Sequence, residues 1–445
     1  MQKELINKID KYFYDNPACP QEMPQVSEHR RLAFDEFKRL GFPNKKNEDW
    51  RFDDLSFLDE IPFKIASHSI AGSVSPDDIN EFKLHDDFEN TIVTINGEFA
   101  PELSSIHPKD ASVEIMSLRD ACQKHPKDIE DHFGRYAKLQ GNPFRALNSA
   151  IAFDGLFIKF PKNYVGKSIF HIIHIIDVRK GAFACNTRTL LKAEENAVFK
   201  IVESVHNLGD YTGWTNAVTE VFGAENSNID YYKLQNDTNS SYFIGATDVE
   251  LRNNCNFHSA TISLDGKFVR NNLNVNLNGE NIEANFHGFF FATKGNFINN
   301  QTFVTHAKPN CTSDEVYKGI VDGKSTGVFK GRIFVAPNAQ KTNAYQSNKN
   351  ILLSEDAVIH SMPQLEIYAD DVKCSHGATT GYLDKEALYY LRARGISEST
   401  ARALLLNAFA ADVFDKIKIS SLCDSVKSLT AKRLNIDEDI YFCKM

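Results

Sequence analysis

A faint repeat between residues 195 and 290 constrains this chain more than any other feature. Glu195-Asn196 opens the run ENAVFKIVE, and Asn226 follows 30 residues later in AENSNIDYYKL. Asn281 in GENIEANF falls 55 residues after that, close to two periods, and NNCNFHSATI at 253–262 fills the skipped one. Each unit places an acidic residue and an asparagine before alternating apolar residues. A unit of about 30 residues with one or two strands cannot bury its inward row alone, whereas stacked units bury a continuous core. Asparagine at the corners can then bond its neighbours. A β-sandwich with strands every 8–12 residues or so has the same texture. The repeat alone leaves the two architectures equally open.

The surrounding chain divides in three. Residues 145–380 lack helical periodicity and show short apolar alternations such as GLFIKF and LNVNLN, which read as an all-β core. Residues 1–144 read as a mixed, mainly helical region. In it, Ser27 is expected to cap a helix over EHRRLAFDEFKRL, Gly41 to stop it, and Leu32, Phe34, Phe37 and Leu40 to form its buried stripe. NTIVTING at 90–97 looks like the first strand and turn, and 111–140 looks partly helical. Residues 381–445 read as a small helical domain. One helix covers LDKEALYYLRAR and stops at Gly395. A second, capped by Ser397, carries an apolar stripe at Ala401, Leu404, Leu405, Ala408, Phe409 and Val413. A third covers 420–434 with Leu422, Val426 and Leu429 on one face. No Pro- or Gly-rich linker sets this domain apart, so it is expected to pack tightly on the β region.

Charge and composition exclude several functions. A net charge of −9 opposes a nucleic-acid clamp and attraction to an anionic membrane. No window approaches the ~18 apolar residues of a transmembrane helix. The N-terminal segment, with Leu5, Ile6, Ile9 and Phe13 among charges, reads as an amphipathic helix and not as a signal peptide, so a cytoplasmic location is expected. The 8 cysteines (19, 122, 185, 255, 311, 374, 423 and 443) show no C-x-x-C pair, which disfavours zinc, ferredoxin-type and thioredoxin-like sites. There is no P-loop and no G-x-S-x-G elbow. His306 and Cys311 in HAKPNC invite a metal reading, but the Pro-Asn between them favours a satisfied corner. Cys185 and Cys255 read as core, and His171, His174 and His206 suggest nothing. The pair Cys374 and His376 in KCSHGATTG offers a thiolate and an imidazole, both suitable for iron. From residue chemistry alone this stretch reads as a glycine-rich turn.

Two stretches carry a resemblance. HAKPNCTSDEVYKGIVDGKSTGVFKGRIFVAPNAQKTNAYQSNKNILLS (306–354) and PQLEIYADDVKCSHGATTGYLDKEALYYLRARGI (363–396) resemble the C-terminal half of the SufB/SufD family of iron–sulfur cluster assembly scaffolds. KNEDWRFDDL (46–55) is similar to a segment near the start of SufD proteins, with Asp53 in place of the usual Thr. Ala357 aligns with a cysteine that SufB carries, and Gly377 stands where SufB tends to have Glu, so the likeness is to the SufD side.

The resemblance implies a right-handed parallel β-helix between a helical N-terminal region and a helical C-terminal domain. It implies a non-catalytic subunit that pairs with a SufB-like paralogue through the β-helices and docks a SufC-like ABC-type ATPase on its C-terminal helices. Self-pairing as a homodimer also belongs to the family pattern. No cofactor is expected to stay bound to this chain alone. Iron or an iron–sulfur cluster is expected transiently at the SufB interface, with His376 implicated in iron acquisition and Cys374 beside it, and a flavin is a further expectation for the complex. The rival is a β-helix carbohydrate-active enzyme, which needs carboxylates in a groove.

Overall fold

The computed structural model describes residues 2–16, 22–66, 74–84, 88–238 and 240–434. Cys19 and Cys443 lie outside the described residues. From Leu156 to Tyr382 the chain winds as a parallel β-helix, so the stacked-coil reading holds and the sandwich does not. Successive strands alternate between two ten-stranded sheets, and each pairs with the strand one full coil away. The strand Asn228–Asn236 pairs in parallel with Val198–Leu208 on one side and Asn256–Asp265 on the other. Side chains alternate along a strand, so in-register stacking turns one inward position into a row. Phe199, Ile229, Phe257 and Ala284 form such a row, each no more than 1% exposed.

The asparagines of the repeat mark one corner of six successive coils, and Lys341 takes the same place in the next. Asn163, Asn196, Asn226, Asn254, Asn281 and Asn310 all have φ between 58° and 63°. Asparagine is among the few non-glycine residues that enter this left-handed region readily. Their side chains also bond one another: each Nδ2 of Asn196, Asn226, Asn254 and Asn281 donates to the Oδ1 of the asparagine one coil before, at 2.7–3.1 Å. The corner thus combines backbone conformation with a side-chain ladder.

The first coils are closed. Asn90–Ile95 pairs in parallel with Val165–Asp177 and folds back antiparallel on Glu98–Phe99, and Glu114–Ser117 runs antiparallel to Leu156–Phe160. The expected turn after the first of these strands is there, with Asn96 and Gly97 both at positive φ. At the other end Val358–Ile367 and Lys373–Tyr382 are each the last strand of a sheet.

The N-terminal helix Pro24–Leu40 starts three residues before the expected cap. Pro24 opens it, and Ser27 lies inside the first turn with its hydroxyl donated to Glu22. Gly41 ends it as expected, at φ 62° with its N–H on Phe37. The buried face is Val26, Arg30, Ala33, Phe34 and Phe37, while Leu32 is exposed. Residues two apart on a helix point about 200° away from each other, so Leu32 and Phe34 cannot share a face. Beyond this helix the segment around Trp50 straps across the outside of one sheet. Asp53 accepts from Arg270 (2.8 Å) and from Asn299 one coil further (3.1 Å), Asp49 meets Lys330 (2.5 Å), and Phe52 stacks on His360 of the last coil at 4.0 Å.

The C-terminal helices lie on the outer face of the other sheet. Ser397 caps Glu398–Phe414 as expected, its Oγ accepting from the Thr400 N–H. That helix buries Ala401, Ala403, Leu406, Ala410, Val413 and Phe414. Of the expected stripe, Ala401 and Val413 are buried, while Leu404, Leu405 and Phe409 are half-buried and Ala408 is exposed. Phe414 packs edge-on against Phe289 of the sheet. Ser420–Arg433 buries Leu422 and Val426. Ion pairs fasten the domain: Lys318 with Asp412 (2.5 Å), Lys418 with Asp230 (2.7 Å) and Arg433 with Asp265 (2.6 Å). Lys385–Ala393, by contrast, buries no residue.

The asparagine corner makes a stability prediction. Asn226→Ala should destabilise by about 2 kcal/mol or more, because alanine strains the left-handed backbone and removes ladder bonds on both sides. Asn226→Gly keeps the backbone free and should cost less. Chemical denaturation of both variants checks the order; alanine equal to wild type would overturn it.

Candidate functional site

Cys374 and His376 lie on the last strand, Lys373–Tyr382, and not in a turn. Two residues apart on a strand, they share one face, with their Cα atoms about 6.8 Å apart. The register places Cys374 on Ala344 and His376 on Gln346, both buried inward residues of the preceding coil. Both therefore belong to the inward row, but the solenoid ends above them. Cys374 is half-buried against the core, and His376 is exposed. Partial burial pushes the Cys374 thiol pKa upward, so the thiol is protonated until a cation draws it to thiolate. Thiolate and imidazole together fill half of a four-coordinate iron site. Gly377, the next residue on the strand, has open space where a Cβ would stand.

The row continues downward into a polar interior. Gln346 lies on Glu315 in register, and its Nε2 donates to Glu315 Oε2 at 2.7 Å. Glu315 is 1% exposed, no described cation pairs with it, and its second oxygen is buried without a partner. Burial pushes its carboxyl up to about 7, against which the nearby Thr302 hydroxyl and the Gln346 bond pull weakly. Sequence reasoning missed this residue. The alternation SDEVYKGIV puts a carboxylate on one of the two faces, but only register shows which face looks inward. Beside it Asn348 accepts from both Asn350 and Ser361. The solenoid is therefore lined with polar side chains below its open mouth and apolar along the Phe199 row.

The other residues raised by the sequence are satisfied elsewhere. His306 is fully buried, bonded to Ser313 at 2.9 Å and depressed to about 4 by burial, and the Cys311 thiol donates to the Gly279 carbonyl at 3.1 Å. His174 lies by Glu203 in a sealed cluster with Tyr231 and Lys233. Glu220 is neutralised by the buried Arg188, Asp230 is paired with Lys418, and Glu195 with Lys162. None of these carboxylates forms the open groove pair that a glycosidase needs. Among the described residues, Glu89, His107 and Asp110 bring donor atoms within 4.8 Å of one another. Those donors are engaged: Asp110 accepts from Asn90 and Tyr164, Glu89 from Ser168, and His107 Nδ1 from the Lys109 N–H. No described helix is long and apolar enough to cross a membrane.

Comparison with known proteins decides the family. The model for the SUF system FeS cluster assembly SufBD core domain matches residues 174–409, and that for the SufBD protein N-terminal region matches residues 11–172. The chain belongs to the SufBD family of iron–sulfur cluster assembly proteins. It is 30% identical over 413 residues to the iron–sulfur cluster assembly protein SufD of Escherichia coli, covering 92% of this chain and 93% of that one. It is also 30% identical over 402 residues to an iron–sulfur cluster assembly SufBD family protein of Synechocystis, covering 88% of each. A chloroplastic protein of Arabidopsis thaliana is 28% identical over 427 residues. In SufBD terms, the core match ends inside the second C-terminal helix, so the open mouth and its inward row lie wholly within the family domain.

Glu315 gives the SufBD core a defined pH response. A carboxyl raised from 4.5 to about 7 in the folded state costs nothing below its ordinary pKa, where both states are protonated. The cost grows as pH rises and is complete above about pH 7, at roughly 3 kcal/mol. Glu315→Gln should therefore raise the thermal midpoint at about pH 8 and change it little at about pH 4. Equal shifts at both pH values would show that the carboxyl does not titrate in this way.

Proposed function

We propose that this chain is the non-catalytic scaffold subunit of a SUF-type assembly complex. It pairs through its open end with a SufB-like paralogue and carries a SufC-like ABC-type ATPase on its C-terminal helices. The observation that carries the pairing is the asymmetry of the solenoid. One end is closed by antiparallel strands, and the other leaves both sheets with an unpaired edge. Exposed edges invite strand pairing with another chain. Of the eleven large apolar side chains exposed among the described residues, seven (Tyr345, Val358, Ile367, Tyr368, Tyr382, Tyr389 and Tyr390) lie on the last coils and the first C-terminal helix. A concentration of this kind marks a protein interface. A second copy of the chain could meet the same edges, which is the homodimer alternative.

In this reading Cys374 and His376 face the seam, and the partner completes the coordination of iron, which is cargo and not a resident cofactor. Lys385–Ala393, which buries nothing in the isolated chain, supports a docking role for the C-terminal helices.

Two measurements test the reading. Native mass analysis after co-expression with SufB- and SufC-like proteins should give one copy of each scaffold chain and two of the ATPase; a species that ignores the ATPase would overturn the partner assignment. His376→Ala removes an exposed side chain and should leave assembly intact while lowering the iron and sulfide recovered with the complex. Wild-type iron and sulfide in that variant would remove His376 from the chemistry.

A further inference from the structure

A cleft of about 660 Å³ lies on the outer face of one sheet, beneath the strap at Trp50 and the loop 133–142. Its size suits a small-molecule ligand. Six cationic side chains and three carboxylates line it, in a chain whose net charge is −9. Four of the cations are matched: Arg145 by Asp248, Arg270 by Asp53, Lys330 by Asp49 and Arg332 by Glu366. Arg135 and Lys138 have no carboxylate partner among the described residues. Arg135 donates only to the Glu130 carbonyl, and Lys138 only to the Arg135 carbonyl.

The loop that presents these two cations is fixed from below. The fully buried Glu220 carboxylate accepts from the backbone N–H groups of Gly134, Tyr136 and Ala137 at 2.8–3.0 Å, and Arg188 holds Glu220 in turn. An exposed pair of cations on a pinned loop loses little conformational freedom on meeting an anion.

The floor offers the opposite chemistry. Asn274, Asn276 and Asn278 each donate Nδ2 to a carboxylate of the preceding coil, on Asp248 or Glu250, at 2.7–2.9 Å. That bond fixes each amide, and none of the three carbonyl oxygens accepts a hydrogen bond in return; Asn276 Oδ1 is buried and unpartnered. The three recur at every second residue, about 6.8 Å apart. A ligand that fits must bring an anion to the rim and hydrogen-bond donors to the floor. Inorganic phosphate meets only the first need, and a neutral sugar only the second.

We propose that this cleft binds a phosphorylated, hydroxyl-bearing small molecule of the sugar phosphate or nucleotide class. Its phosphate sits on Arg135 and Lys138, and its hydroxyls donate to the floor asparagines, first to Asn274 and Asn278. The site is separate in its chemistry from the thiol–imidazole pair at the open end and stands whether or not that pair handles iron.

Isothermal titration of the full chain with ribose 5-phosphate, AMP, ribose and inorganic phosphate tests it. A phosphorylated probe should saturate, with ribose and inorganic phosphate at least about tenfold weaker. Binding of AMP alone assigns the nucleotide class; equal binding of both phosphorylated probes assigns the shared sugar phosphate. The double variant Arg135→Gln, Lys138→Gln should lose at least about tenfold in affinity, as expected for charge-assisted hydrogen bonds. Its thermal midpoint should stay at the wild-type value, because both side chains are exposed. The proposal is overturned if neither phosphorylated probe saturates at millimolar concentration, if the double variant binds as wild type does, or if inorganic phosphate binds as well as AMP.

Discussion

A parallel hydrogen-bond ladder has no way to end by itself. Every coil satisfies the backbone of the coil before it and presents the same need to the next. The chain resolves this at its first end with antiparallel strands that turn the ladder back on itself. At its last end it leaves the need standing on both sheets. Much of what is unusual in the structure gathers there: most of the exposed large apolar side chains, the exposed His376, and the buried carboxyl of Glu315, which no described cation meets.

The stack is held by two different kinds of bond. Within the solenoid, interactions run from one coil to its neighbour, as in the asparagine corner and the Phe199 row. Such a stack is nearly one-dimensional, and its stability is close to a sum over neighbours. The strap at 49–53 works differently. Asp49, Phe52 and Asp53 reach strands from Arg270 to His360 and tie several coils to one short segment. Asp53 carries the buried ion pair to Arg270 at the centre of that tie. Burial pushes its carboxyl up, and the charge and hydrogen bond of Arg270 offset that only in part.

The sequence disclosed features in which a residue type answers a local demand. Asparagine recurs because few other side chains accept the left-handed corner, so the coil period could be read directly. Gly41 and Ser397 were legible for the same reason: each satisfies the end of a helix. Features that depend on which face looks inward were not legible. Leu32 is apolar and exposed, Leu406 is buried where its neighbours Leu404 and Leu405 are only half so, and Glu315 is a buried carboxylate in an ordinary alternation. Cys374 and His376 read as a turn because of the glycines around them. The strand they occupy is specified by the coil beneath, through pairing with Asn343–Leu352, and not by their own propensity. The architecture itself was settled by resemblance, because a sandwich and a solenoid share their local alternation.

The strap also has a consequence in time. Asn299 lies 246 residues after Asp53, and Met362 lies 311 residues after Arg51, whose guanidinium it meets. Contacts between neighbouring coils span only 27–33 residues. A chain emerging from a ribosome can therefore wind each coil onto the last as it appears, but the strap closes in steps, on Arg270 and Asn299 first, on Lys330 next and on His360 and Met362 last. The last of these contacts forms only when the open end is complete, so a chain cut short before that point keeps its strap half-fastened.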